Sequence, residues 1–195
     1  IDGQLDEWTN IPAVRVEAPD ALRVPAGLMN GAEDLAADVR FAWDTNALYM
    51  AFDVTDDAHY QPEKGWATWM CDSIQIGLNL DPEQVREGAM STLEAGGMRR
   101  WQEIDIARSP GGPDAYRTMT YDERFCPGGP LTPAQAPLAT SRDDKARRTR
   151  YEFAVPWSTL SATRPPVAGE CVSFACTFND RDERAGKADA FAGHG

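Results

Sequence analysis

The alternation of apolar and polar residues in several short segments is the feature that most constrains the fold of this chain. Residues 39–44 place large apolar side chains at odd positions, and residues 48–54 place them at even positions after the turn-like Asp44-Thr45-Asn46. Because successive side chains of a β-strand point to opposite faces, this pattern predicts a hairpin with one buried face.

The same alternation returns in residues 73–79, 101–106, 151–157 and 174–178. Clusters of Gly, Pro, Asn and Asp separate these segments, and the chain holds 16 Gly and 14 Pro. The pattern predicts one all-β domain over residues 1–195: a two-sheet antiparallel β-sandwich, jelly-roll or immunoglobulin-like, with long loops. We expect at most short helices, such as one beginning at Asp81, and a long loop region over 109–144 with a strand near Tyr116–Tyr121.

Charge and composition exclude several classes of partner. Asp and Glu outnumber Lys and Arg by 31 to 19, a formal charge of -12 that repels phosphate backbones and anionic lipids. No apolar stretch is long enough for a membrane span. The four cysteines have no zinc-binding spacing and would form one or two disulfides only if the protein is exported. The chain starts at Ile1 without a Met, so we interpret it as a mature product or an excised domain.

Five segments, in order, resemble the family-nine carbohydrate-binding modules and related sandwich domains. They are Ile1–Trp8 (IDGQLDEW), the hairpin Val39–Asp57, Trp69–Ile76 (WMCDSIQI), Tyr151–Trp157 (YEFAVPW) and Phe174–Asp182 (FACTFNDRD). The resemblance implies non-catalytic binding of a polysaccharide or oligosaccharide, export to the periplasm, cell surface or medium, and structural calcium. We expect no organic cofactor. We interpret the chain as a monomeric module that targets a larger protein to a glycan.

A sugar site needs an exposed aromatic ring for stacking and fixed amides or carboxylates for the hydroxyl groups. The family places one such ring at the position of Trp69, and strand parity puts Trp69 on one face with Gln75. Trp66, three residues earlier, is a second candidate.

Trp101 lies opposite the inward isoleucines by parity, together with Glu103 and Asp105. The family carries a cationic and an amide residue at the positions of these two acids, so here the ligand would be held differently. The family also has a second aromatic ring beyond residues 179–182, where this chain has no Trp. Trp101 could replace it. Alternation predicts that the remaining tryptophans are core residues: Trp8, Trp43 and Trp157.

Calcium requires six to eight oxygen ligands from converging loops. Asp53, Asp56 and Asp57 at one strand end offer such oxygens and are the predicted metal ligands. Further candidates are Asn179, Asp180 and Asp182, with Asp2 or Asp6. No EF-hand spacing is present.

Three other interpretations remain open. Glu103 and Asp105 could act as a hydrolytic pair, but no activated nucleophile, metal motif or phosphate loop supports an enzyme. A b-type haem domain would need a Met with His59 or Lys64; the available methionines are Met50, Met70, Met90, Met98 and Met119. The last alternative is an interaction module without a small ligand.

Overall fold

The computed structural model describes residues 1–17, 31–80, 101–121, 123–162 and 164–182, and the backbone of the strand 190–194. This part of the chain forms eleven β-strands and two short 3-10 helices. The strands are β1 Val14–Glu17, β2 Leu35–Trp43, β3 Ala47–Asp56, β4 Ser73–Asn79, β5 Trp101–Ser109, β6 Gly112–Thr120, β7 Gly129–Pro130, β8 Leu138–Asp143, β9 Arg148–Pro156, β10 Ser173–Asp180 and β11 Ala190–His194. The 3-10 helices are Asp6–Trp8 and Gly65–Met70.

The strands form two antiparallel sheets, which confirms the predicted β-sandwich. One sheet has the order β1-β2-β3-β9-β8, and the other has the order β11-β10-β4-β5-β6-β7. The predicted hairpin is the β2–β3 pair, with Val39 opposite Phe52. Its turn is closed by the Asp44 carboxylate, which accepts hydrogen bonds from the backbone N–H groups of Asn46 at 2.7 Å and Ala47 at 3.0 Å.

The core lies between the two sheets and consists of the inward positions of the alternating segments. Ile76 and Ile104 face each other on β4 and β5, and both are fully buried. Phe52 of one sheet meets Phe178 of the other edge-to-face, with ring centroids 6.0 Å apart. Full burial of a side chain of this size stabilises the fold by about 1.5–3 kcal/mol, so these contacts hold the sheets together.

Two tryptophans depart from the predicted core. Trp43 is 69% exposed, because the alternation of β2 continues beyond the packed region: Val39 is buried, Phe41 is half-buried and Trp43 lies in solvent. Trp8 is buried as predicted but lies outside the central cluster, with its indole N–H donated to Glu152 at 3.3 Å. Trp157 is a core residue.

The cysteines are all free, so neither possible disulfide is formed. The predicted helix at Asp81 lies outside the described residues. None of the helices in the described ranges has the length and hydropathy needed to span a bilayer.

Candidate functional site

The outer face of the six-stranded sheet carries the side chains that point away from the core. On β4 and β5 the antiparallel register places Gln75 opposite Asp105, and Gly77 opposite Glu103. Trp101 lies one step further along the same face of β5, as strand parity predicted. The structure therefore brings four of the predicted site residues together: Gln75, Trp101, Glu103 and Asp105.

Hydrogen bonds between strands fix the polar part of this face. Asn179 of β10 donates from Nδ2 to Ser73 Oγ at 2.9 Å and to Gln75 Oε1 at 3.4 Å. Gln75 in turn donates from Nε2 to Glu103 Oε1 at 3.4 Å. Because the Gln75 amide is held at both its oxygen and its nitrogen, it is oriented before any ligand arrives, which reduces the entropy cost of binding.

Asp105 is the most strongly perturbed group on this face. It is only 1% exposed, and neither carboxylate oxygen has a hydrogen-bond partner in the described structure. Burial raises the pKa of Asp105 to about 7; the nearby charge of Glu103 contributes to this rise, and a contact with Thr118 opposes it. Burial also raises the pKa of Glu103. Glu103 is half-buried and offers an acceptor at the surface of the face, whereas Asp105 lies beneath it.

The 3-10 helix Gly65–Met70 precedes β4 in the chain and packs against β4, β5 and β6. We call it the tryptophan helix because it carries Trp66 and Trp69, which are 61% and 38% exposed. The prediction that Trp69 continues strand β4 is wrong, since β4 begins only at Ser73. The exposed ring is therefore presented by a helix above the sheet and not by the strand itself.

Two contacts hold the tryptophan helix in place. The buried Gln61 donates from Nε2 to the backbone carbonyls of Thr68 at 2.9 Å and Asp72 at 2.8 Å. At the other end, the backbone N–H of Gly65 donates to Asp114 Oδ2 at 2.7 Å. Gly65 has φ +62, a left-handed conformation that favours glycine.

The exposed Trp66 and Trp69 of the tryptophan helix form one aromatic border of the face. A second aromatic border lies at the other end, beside Trp101. The indole of Trp101 reaches across β4, with Nε1 only 3.4 Å from the position that a Cβ on Gly77 would occupy. The neighbouring Met119 and Tyr121 are both exposed. Trp101 and the adjacent Tyr121 lie four strand positions from the row of Asp105, or about 13 Å at the usual rise, and Met119 lies opposite Glu103 between them. The polar groups thus lie between two aromatic borders.

Sequence reasoning missed Gly77, Met119 and Tyr121. A glycine at an outward position of a strand was the available signal for Gly77, since it often marks a close approach of another group. The exposed apolar pair gives no comparable signal, because single exposed apolar residues are common.

The three predicted metal ligands lie in separate surroundings. Asp53 forms ion pairs with Arg148 at 3.3 Å and Arg150 at 3.7 Å. Asp56 pairs with Arg142 at 3.0 Å and lies with His59 and Asp72 in a cluster of ligand-type atoms. Asp57 belongs to a different cluster, with Asp34 and Asp182. The structure does not bring Asp53, Asp56 and Asp57 together as one site.

The cluster of Asp34, Asp57 and Asp182 fits a calcium ion best. Its ligand atoms are carboxylate oxygens within 4.8 Å of one another. The adjacent Asp180 is buried, and its Oδ1 has no partner among the described residues. Burial raises the pKa of Asp180 to about 9, and Asp72 and other acids add to the shift. A hard cation with oxygen ligands would relieve this concentration of negative charge.

The other two clusters fit calcium less well. In the Asp56–His59–Asp72 cluster, burial opposes the charge of His59, but its contacts with the two acids raise its pKa to about 9. The imidazole is therefore a cation at neutral pH. In the Asp2–Glu7–Glu152 cluster, the Glu152 carboxylate already accepts hydrogen bonds from the backbone N–H groups of Asp2 and Gly3, so it is less available to a metal ion.

The structure gives no support to the haem interpretation. Met50 lies fully buried in the central core, and the imidazole of His59 is engaged by Asp72 at 3.2 Å and by the carbonyl of Arg108 at 3.2 Å. Met70 and Met119 lie on the surface. Met90 and Met98 are outside the described residues.

The fold and the face together define a β-sandwich of the type that presents a preformed polar surface between aromatic side chains. The family described as "Carbohydrate family 9 binding domain-like" matches residues 1–94, just under half of the chain. The predicted relation to the family-nine modules is thus confirmed.

Solved structures agree with this relation over nearly the whole chain. A family-nine carbohydrate-binding module from Caldicellulosiruptor kristjanssonii, in complex with cellotriose, superposes with a TM-score of 0.63 at 15% identity, covering 99% of this chain and 76% of that one. A module from the same organism with glucose gives 0.58 at 17% identity, covering 99% and 79%. A structure described as a candidate carbohydrate-binding protein from Bacteroides uniformis gives 0.63 at 7% identity, covering 99% and 83%. At these identities the likeness establishes the fold. No curated protein sequence matches the chain.

Proposed function

We propose that this domain binds carbohydrate without transforming it, on the outer face of the six-stranded sheet. The observation that carries the proposal is the row of amide and carboxylate groups between the exposed tryptophans of the tryptophan helix and the half-buried Trp101. Gln75 and Glu103 meet the hydroxyl groups of a sugar, while Trp69 stacks on the flat C–H face of a ring. Trp101 supports a second ring, and Trp66 extends the first border.

The family relation supports this assignment. The two modules from Caldicellulosiruptor kristjanssonii carry cellotriose and glucose, so these sugars are the first ligands to test. We further infer that the domain is exported, to the periplasm, cell surface or medium, where it targets a larger protein to a glycan. Fusing the domain to a fluorescent protein and measuring its retention on insoluble polysaccharides would test this targeting.

Calorimetric titration with cellotriose tests the binding site directly. We expect Trp69→Ala to weaken binding by about 1–3 kcal/mol, because stacking on one ring is lost. Trp101→Ala should weaken binding to a trisaccharide more than binding to glucose, since it lies about 13 Å along the face. Trp43→Ala is the matched control: it removes an exposed indole elsewhere on the surface.

Two results would contradict the proposal. One is unchanged affinity in both Trp69→Ala and Trp101→Ala. The other is the absence of heat with every sugar of a broad panel for a protein shown to be folded, which would favour an interaction module without a small ligand.

We also propose that calcium stabilises the domain at the cluster of Asp34, Asp57 and Asp182, with Asp180 adjacent. The support is the oxygen-only ligand set and the buried, unpartnered Oδ1 of Asp180. A ligand that binds only the folded state at 100 times its dissociation constant adds about 2.7 kcal/mol of stability. Thermal unfolding with calcium and with a chelator should therefore differ.

The substitution Asp57→Asn should remove most of that difference, whereas Asp53→Asn should keep it, because Asp53 is paired with arginines instead. Identical melting curves with calcium and with chelator would contradict a calcium site.

A further inference from the structure

The acids on the outer faces of the two sheets differ in whether they form ion pairs. On the five-stranded sheet, Asp38 pairs with Arg15 at 3.1 Å, and Asp53 pairs with Arg148 at 3.3 Å. On the six-stranded sheet, neither Glu103 nor Asp105 forms an ion pair within the described ranges. The neighbouring polar side chain that contacts Glu103 is the neutral amide of Gln75. The candidate site therefore holds two uncompensated carboxylates.

The burial of these acids makes their lack of a partner costly. Asp105 is 1% exposed and both of its oxygens are without a hydrogen-bond partner, and Glu103 lies two residues away on the same face of β5. A buried carboxylate loses its hydration, and a second negative charge nearby adds repulsion. A cation placed beside Glu103 would reduce both costs, so the face is electrostatically prepared for a positive ligand.

The surroundings favour an organic cation over a metal ion. Neither acid belongs to a cluster of three metal-ligating groups among the described residues. The half-buried indole of Trp101 lies on the same face instead, and aromatic rings attract ammonium groups. A sugar ammonium supplies three hydrogen-bond donors, which match carboxylate acceptors.

We propose that the site prefers carbohydrates with free amino groups, as in glucosamine oligosaccharides, over their N-acetylated or neutral counterparts. This inference rests on the carbohydrate binding proposed above and adds the class of sugar. Glu103 contacts the ammonium group, and Asp105 contributes negative charge from below the surface.

The experiment compares three ligands of equal length at pH 7 and low salt: the trisaccharide of glucosamine, the trisaccharide of N-acetylglucosamine, and cellotriose. We expect the amino trisaccharide to bind about three- to fivefold more tightly than the acetylated one, the range of a partly exposed ion pair. Salt at about 0.5 M should reduce that ratio, because it screens charges over a few Å.

Two variants locate the effect. In Glu103→Gln the ratio should fall close to one, since the glutamine keeps the shape and loses the charge. Asp105→Asn should lower the ratio as well. The control Glu33→Gln removes one negative charge from an exposed residue before β2, and it should keep the wild-type ratio. Circular dichroism confirms that each variant is folded.

Equal affinities for the amino and acetylated sugars would overturn the preference and leave carbohydrate binding intact. A preference that persists in both Glu103→Gln and Asp105→Asn would also overturn it, because the effect would then come from the net charge of the chain. If none of the three sugars binds to folded protein, both this inference and the proposed function fail.

Discussion

Replacing Asp105 with Asn should stabilise the domain relative to the wild type, and this gain in unfolding free energy should be larger at pH 8 than at pH 4. In the folded protein, burial raises the pKa of Asp105 from 3.8 to about 7. The folded state therefore holds this proton more tightly than the unfolded state does. The wild type loses stability as the pH rises from about 4 to about 7, and loses no more from this group at higher pH.

The magnitude follows from the size of that pKa change. One pKa unit corresponds to about 1.4 kcal/mol, so the charged carboxylate costs about 4 kcal/mol above pH 7. Asparagine has nearly the same shape and carries no charge at any pH, so it avoids this cost. The difference in unfolding free energy between variant and wild type should thus grow by about 4 kcal/mol between pH 4 and pH 8.

Urea denaturation across this pH range measures the effect. Titrating groups distant from Asp105 act equally on both proteins and cancel in the difference, whereas the neighbouring Glu103 is coupled to Asp105 and forms part of the measured effect. Glu33→Gln is the control, because it makes the corresponding acid-to-amide substitution at an exposed residue. If the difference for Asp105→Asn is flat with pH, Asp105 titrates as an ordinary carboxylate, and the argument that its burial stores unfavourable charge is refuted.

Two further predictions concern the scaffold. Trp157→Ala should destabilise the fold by about 3–5 kcal/mol in urea denaturation, because it empties a core position, whereas Trp43→Ala should change stability by less than about 0.5 kcal/mol; equal losses would contradict the surface position of Trp43. Gly3→Ala should cost about 1–3 kcal/mol in the same assay, because Gly3 has φ +83 and an added Cβ would lie 3.3 Å from the Thr140 backbone; an unchanged midpoint would contradict that packing.

Alternation predicted those strands whose two faces differ most in residue type. Strands β3 and β4 carry large apolar residues such as Phe52 and Ile76 on one face and small or polar residues on the other. Strand β8 was missed because nearly all of its residues are half-buried, so no face is distinguished. Alternation also continues past the end of a core, which explains the error at Trp43: local pattern carries no information about where the opposing sheet stops.

The candidate site was predictable where strand parity governs it. Gln75, Glu103 and Asp105 were placed on one face correctly, because parity survives any detail of packing. Trp69 was found by its motif, but its helix was not. The cluster proposed for calcium could not be derived from the sequence, because Asp56 and Asp57 are adjacent in sequence and belong to different clusters. Convergence of loops depends on tertiary structure alone.

The two outer faces of the sandwich are unequal, and this supports the choice of the binding face. On the five-stranded sheet, Glu152 is covered by the segment around Gly3 and Trp8, whose N–H groups it accepts. On that face Asp38 is paired with Arg15 and Asp53 with Arg148. The charges of Asp38 and Asp53 are therefore compensated within the protein, although Asp53 Oδ1 and one Arg148 nitrogen make no hydrogen bond in the described structure. On the six-stranded sheet, the hydrogen bond from Gln75 to Glu103 is long, at 3.4 Å, and the oxygens of Asp105 have no hydrogen-bond partner in the described structure. A ligand gains most where the protein has left its polar groups unsatisfied, which is the physical reason for proposing the binding site on this second face.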